Sequence, residues 1–234
     1  MTDGKPHAYR FYAEGTDAAG NVEPLKGGAA DVSVTAGPFA ATPLRATGLS
    51  VQHGQAGRSF VRYVDLLLND TGAALANLIA GTKLTLKKYP LTGPGPGVTP
   101  TPVPLAAGSL TALDHAIELD FGKGGIGNTP SSPLSDGYYE LDADLRTTVN
   151  GATVGAVAQA FFYRLFGDVN GDGKVDATDV QRITDVIGQV LTDPALRQSA
   201  DANGDGAVNQ TDRTLTNNAK GHKLATGLLL GLKK

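Results

Sequence analysis

The sequence predicts a mainly β chain: a β-sandwich through its middle, then a small α-helical module near the C-terminus. Three observations carry this. The 234 residues include 31 glycines and 13 prolines but only 18% charged residues. That balance favours strands broken by frequent turns over a helical bundle. Between residues 38 and 165, short apolar or alternating stretches recur with glycine and proline between them. After residue 166 the pattern changes: Asp, Asn and Gly cluster twice, and each cluster leads into a stretch of helical character.

The elements follow in order. Residues 7–36 read as a β-hairpin and a following strand. His7, Tyr9, Phe11 and Ala13 fall on one face, Arg10, Tyr12 and Glu14 on the other, and DAAGN at 17–21 makes the turn. The candidate strands of the sandwich are 47–52, 59–68, 83–89, 115–120, 137–142 and 157–166. GPGPGVTPTPVP, 93–104, reads as a long loop or arm without regular structure. GKGGIGNTPSSP, 122–133, reads as a second surface loop; it lacks the GxxxxGK followed by Ser or Thr that a phosphate loop needs. Tyr138 and Tyr139 are adjacent on a strand, so at most one is exposed for stacking. The apolar run 224–232 is far too short to span a bilayer and is expected to pack against the sandwich or the helices.

The strongest signal is a repeated one. DVNGDGKVDATD, 168–179, and DANGDGAVNQTD, 201–212, start 33 residues apart. Each places oxygen side chains at loop positions 1, 3, 5, 9 and 12 and glycine at position 6. A hard dication such as calcium takes six to eight oxygens, and a chain wound tightly round it presents alternate residues. In the first loop these are Asp168, Asn170 and Asp172, the backbone carbonyl of Lys174, then Asp176 and Asp179, with Gly173 at the bend. In the second they are Asp201, Asn203 and Asp205, the carbonyl of Ala207, then Asn209 and Asp212, with Gly206 at the bend. Two calcium ions are therefore expected. The simpler reading of one such stretch is a polar turn, since these residues favour turns without any metal; two stretches in register favour the metal. The first loop carries four aspartates and the second three, so the first is expected to bind more tightly.

Helical spacing follows the first loop, with Val180, Ile183, Val186, Ile187, Val190 and Leu191, and Asp193 with Pro194 marks the end. A second, weaker helix is expected from about Gln210, holding Leu215 and Leu224 but also Asn217, Asn218 and Gly221.

Asp at position 12, Asn at position 3 and a helix only after each loop resemble type I dockerin domains, over about residues 166–224. The resemblance implies a duplicated, EF-hand-like loop–helix module that docks onto a cohesin domain of another protein, in secreted or cell-surface bacterial proteins. It also implies that positions 10 and 11, here Ala177 and Thr178, then Gln210 and Thr211, help choose the partner. The two pairs differ, which argues against a symmetric two-way binding surface. Many family members have a flexible linker before the module, whereas here AQAFFYR runs almost directly into LFGDVNGDG. Separately, YRFYAEGTDAAGNVE resembles the last hairpin of a fibronectin type III or related Ig-like repeat. The expected organisation is thus a hairpin over 1–37, an Ig-like β-sandwich over 38–165, a dockerin-like module with two calcium loops over 166–224 and a basic, apolar tail over 225–234.

Composition narrows the function. A formal net charge of −3 gives no case for nucleic acid. Residues 168–212 hold nine Asp against three basic residues, while 213–234 hold five basic residues and no acid; the tail is expected to be solvated. With no cysteine, disulfides cannot stabilise the fold, and calcium is expected to take that part in an extracellular setting. No signal-peptide pattern follows Met1, so a processed chain or a fragment is expected. His7, His53, His115 and His222 share no metal-like spacing, and neither GxSxG nor HExxH occurs. Asp114, Glu118 and Asp120, and Asp136, Glu140, Asp142 and Asp144, form acidic groups. Paired carboxylates hydrolyse glycosides in some enzymes, but alternating acids on strands are read here as the wet face.

The expected function is therefore non-catalytic attachment or assembly through the calcium module. Two other readings stand beside it: the C-terminal targeting part of a polysaccharide-degrading enzyme, or calcium that is purely structural with no partner. A carbohydrate-binding sandwich ranks last, because the chain has no Trp and only 7 Tyr and 7 Phe.

Overall fold

The computed structural model describes residues 7–11, 32–36, 43–69, 79, 83–106, 108–149, 152–189 and 200–233. The chain divides into two compact units, Met1–Thr42 and Pro43–Lys234. In the first, β1 (His7–Phe11) pairs antiparallel with β2 (Val32–Ala36), His7 opposite Ala36 and Phe11 opposite Val32. The expected turn at 17–21 lies outside the described residues.

The second unit holds β3 (Ala46–Val51), β4 (Tyr63–Leu68), β5 (Leu84–Tyr89), β6 (Thr101–Val103), β7 (Leu110–Leu113), β8 (Ala116–Asp120), β9 (Gly137–Asp144), β10 (Thr147–Val149), β11 (Ala152–Val154), β12 (Val157–Arg164) and β13 (Gly231–Leu232). Its helices are α1 (Ala177–Val186) and α2 (Gln210–Asn218). One sheet runs β13-β12-β9-β5-β6 and another β3-β4-β8-β7, with β10-β11 as a small ribbon. All described pairings are antiparallel.

Alternation builds the core. On β4, Val64, Leu66 and Leu68 are buried; on β8, Ile117 and Leu119 are fully buried. From the other sheet come Leu84 and Leu86, Tyr139, Leu141 and Ala143, and Ala160 and Phe162. These side chains form one cluster, so the two sheets share a single apolar interior. Each Val, Leu, Ile or Phe among them, fully buried, contributes roughly 1.5–3 kcal/mol.

The outward face of the larger sheet is aromatic near its lower end. Tyr138 stacks on Phe161 with centroids 5.5 Å apart, and Tyr89 joins them. Leu224 and Leu228 of the C-terminal segment cover this patch, and the Tyr138 hydroxyl donates to the Leu229 carbonyl. The segment then closes the sheet as β13 against β12. The expected packing of the apolar run is therefore observed.

Tyr138 and Tyr139 are both buried, one under the tail and one in the core, in keeping with the expectation that at most one is exposed. Several other sequence expectations need correction. The stretch 93–104 contains β6, which pairs with β5 as an edge strand; short, proline-flanked edges give little periodic signal. The stretch 122–133 is not wholly a surface loop: Ile126 is 2% exposed and belongs to the core. Glu140 is not on a wet face, being 7% exposed and accepting from Tyr89 Oη at 2.7 Å and Gln159 Nε2 at 2.9 Å. The helical pattern overshoots α1, which ends at Val186; Ile187 leaves helical geometry and Gly188 takes φ +77°. Val190, Leu191, Asp193 and Pro194 lie outside the described residues. Helix α2 ends at Asn218, so Leu224 belongs to the segment after it.

No linker separates the sheets from the helical module. Tyr163, Leu165, Phe166, Val175 and Ala219 form one cluster across the junction. Arg164, 2% exposed, ties it down: Nη1 donates to Asp136 Oδ1 (2.8 Å) and the Ser132 carbonyl (2.7 Å), and Nε to the Ser59 carbonyl (3.0 Å). Asp136 Oδ1 also accepts from Phe166 N at 2.8 Å.

Candidate metal centre

Each loop is shaped by its own carboxylates, and the two loops repeat the same wiring. Asp168 opens the first, its Oδ1 accepting from Gly171 N (2.6 Å) and its Oδ2 from Gly173 N (3.0 Å). Asp201 opens the second, accepting from Asp205 N (3.1 Å) and Gly206 N (2.7 Å). Asn170 Oδ1 accepts from Asp172 N, and Asn203 Oδ1 from Asp205 N, both at 2.9 Å. Asp172 Oδ1 then accepts from Lys174 N (3.1 Å) and Asp205 Oδ1 from Ala207 N (2.9 Å). These successive turns draw positions 1, 3 and 5 inward on one side of the chain.

Positions 9 and 12 serve the loop and the helix together. Asp176 caps α1 through Thr178 N at 2.7 Å, and Asp179 returns Oδ2 to Asp176 N at 2.9 Å. Asn209 and Asp212 repeat this on α2, at 2.7 Å to Thr211 N and 2.9 Å to Asn209 N. Both are capping boxes with Asp in place of Glu. The second oxygen of each closing Asp reaches back across its loop: Asp179 Oδ1 accepts from Val169 N (3.0 Å), and Asp212 Oδ1 from Ala202 N (3.0 Å). Residues 169–179 and 202–212 are thereby each closed on themselves.

The electrostatics suit a dication. Asp168, Asp179 and Asp212 are fully buried and Asp201 is 8% exposed. Burial, with neighbouring acids adding to it, pushes Asp168 and Asp201 up to about 6, and Asp179 and Asp212 upward as well. Crowded, desolvated carboxylates of one sign are costly without a counter-charge. The donors are all oxygen, with no thiolate or imidazole among them, which is the chemistry calcium prefers. Asp168, Asn170, Asp172, Asp176 and Asp179, with the Lys174 carbonyl, would hold one ion. Asp201, Asn203, Asp205, Asn209 and Asp212, with the Ala207 carbonyl, would hold the other.

The loops also differ at position 7. Lys174 Nζ lies 2.7 Å from Asp176 Oδ2 and 3.5 Å from Asp172 Oδ2. This pair holds Asp176 down at about 2. Ala207 leaves the second loop without such a cation.

Other features hold the loops to the sheets and carried no signal in the sequence pattern. Tyr163 Oη donates to Asp168 Oδ2 at 2.8 Å. The amides of Arg58 and Ser59 both donate to the Asp168 carbonyl, at 2.7 and 2.9 Å, and Ser59 Oγ donates to the Ala202 carbonyl. The glycines at loop position 4 allow this close approach. A Cβ on Gly171 would stand 1.9 Å from the Ala56 carbonyl oxygen, and one on Gly204 would meet the Phe60 ring at 2.6 Å. Both also have positive φ. The NGDG spelling of each loop thus answers the sheet as well as the ion.

Ala177, Thr178, Gln210 and Thr211 are all exposed, on the first turns of α1 and α2. The helices pack against each other, with Arg213 Nε donating to Thr184 Oγ1 at 3.0 Å.

Fold and site together define a mainly β protein with two antiparallel sheets on one core and a paired loop–helix module of calcium-binding type. Residues 166–219 match the family model of the dockerin type I domain, a family whose members bind calcium. No curated protein and no solved structure matches the chain significantly. Among the described residues, no helix is long and apolar enough to cross a membrane.

Proposed function

We propose that this chain is a non-catalytic, calcium-binding part of a secreted or cell-surface bacterial protein, and that its dockerin-like module attaches it to a cohesin-type domain. The observation that carries this reading is the duplicated module: two loops closed by matching hydrogen bonds to their first and twelfth residues, each delivering an exposed pair at positions 10 and 11 on a helix start. Two calcium ions organise those helix starts, one per loop. The parent protein acts in attachment or assembly, polysaccharide breakdown being one setting where such docking operates.

A second reading is favoured by the junction. Arg58, Ser59 and Tyr163 hold the first loop directly against the sheets, which suits calcium as a purely structural clamp. One experiment separates the two. Purified cohesin domains and the secreted proteins of the source are titrated against the chain in calcium and in chelator. A stoichiometric complex formed only in calcium, and weakened when Ala177 and Thr178 or Gln210 and Thr211 are replaced by charged residues, supports docking. Absence of any complex in calcium leaves the structural clamp as the function.

A further inference from the structure

Sequence spacing left the histidines scattered, but strand pairing brings one of them to two carboxylates. Asp65 on β4 is the register partner of Glu118 on β8, and both side chains lie on the face of the smaller sheet opposite the shared core. Ser50 on β3 is the neighbour on the other side. His53 reaches over them from the turn that follows β3. Gln52 pins that turn, its buried Oε1 accepting from Arg62 N (2.6 Å) and Tyr63 N (2.7 Å). The His53 ring stacks on Tyr63 with centroids 4.4 Å apart, and its Nε2 stands 2.9 Å from Glu118 Oε2. One ligand atom from each of His53, Asp65 and Glu118 lies within 4.8 Å of the others.

A second observation points to a ligand. Asp65 is 7% exposed, and its buried Oδ1 has no hydrogen-bond partner. An orphaned carboxylate oxygen under cover carries an uncompensated desolvation cost. Arg62, three positions before Asp65, is held instead by Asp120, with both contacts at 2.8 Å.

We propose that His53, Asp65 and Glu118 form a site for a borderline transition-metal dication, zinc being the type case, distinct in residues from the two calcium loops. One imidazole nitrogen and two carboxylates match the donors zinc takes, whereas calcium prefers oxygen alone. Donors at about 2.0–2.2 Å from a tetrahedral zinc stand roughly 3.4 Å apart, a spacing that a set already within 4.8 Å reaches by small side-chain movements. Three protein donors leave one position for water.

The test is zinc titration of the full chain in saturating calcium, followed by calorimetry, which keeps the loops filled. Wild type takes up one equivalent. His53→Gln, Asp65→Asn and Glu118→Gln each weaken it at least tenfold, while His115→Gln and His222→Gln leave it unchanged. Calcium-loaded melting curves verify that the variants are folded. No uptake by wild type, or less than a tenfold loss in any of the three ligand variants, overturns the proposal; in that case His53 and Glu118 form only a hydrogen-bonded pair.

Discussion

Lys174 occupies loop position 7, where only the backbone carbonyl is asked to face the ion, and its side chain turns back onto Asp172 and Asp176. The first loop's extra carboxylate is therefore partly neutralised within the loop. Both groups are open to water, so solvent screens the pair and its effect is modest. Lys174→Ala is expected to tighten the first loop by about two- to fivefold and to leave the second unchanged, as read by calcium titration of each loop in turn. Asp136 makes a different residue-scale prediction. Burial leads its rise to about 6, against the attractions of Arg164, His222 and Lys88. Its Oδ2 is buried without a hydrogen bond. A carboxyl with a raised folded-state value holds its proton more tightly folded than unfolded, so its contribution to stability falls as pH climbs from about 4 to about 6, and is flat above. The stability difference between wild type and Asp136→Asn, measured by denaturant at fixed excess calcium, should decline across that window. A difference that rises with pH would show that the Arg164 attraction outweighs the burial.

At the scale of elements, each helix begins on a residue that is also a metal-ligand candidate. Asp179 and Asp212 close a loop with one oxygen and a capping box with the other. Helix α1 has 10 residues and α2 has 9, shorter than the roughly 12–15 that isolated helices need to be even marginal in water. Removal of calcium is therefore expected to melt residues 166–224. The core shared by the sheets draws on residues 51–162 and, at its border, on Leu44, Ala46, Leu49 and Leu232, none of them from the calcium loops or from α1 and α2. Chelator should abolish the far-UV helix signal and leave the β signal; retention of the helix signal would show that the helices stand without metal. The same distinction explains what was legible in sequence. The loops were legible because their ligands are near neighbours along the chain, and β4, β5, β8, β9 and β12 because alternation or continuous burial marks them. The edge strands β6, β7, β10 and β11 have three or four residues each, too few for a period to show. Buried Arg164 and the meeting of His53, Asp65 and Glu118 depend on strand pairing between distant residues, which local spacing does not encode.

At the scale of the whole unit Pro43–Lys234, the helical module is seated on the sheets from both sides. The segment 55–60 meets both loops through Asp168, Ala202, Gly171 and Gly204. The chain after α2 then returns across the aromatic patch and ends as β13. Calcium, in this account, fixes the helix starts, and the sheets fix the loops. The direct test is calorimetric titration of the metal-free chain with calcium, alongside Asp168→Ala and Asp201→Ala. Two ions per wild-type chain and one in each variant are the expected result. Wild type binding no calcium, or either variant still binding two, would contradict the assignment of one ion to each loop.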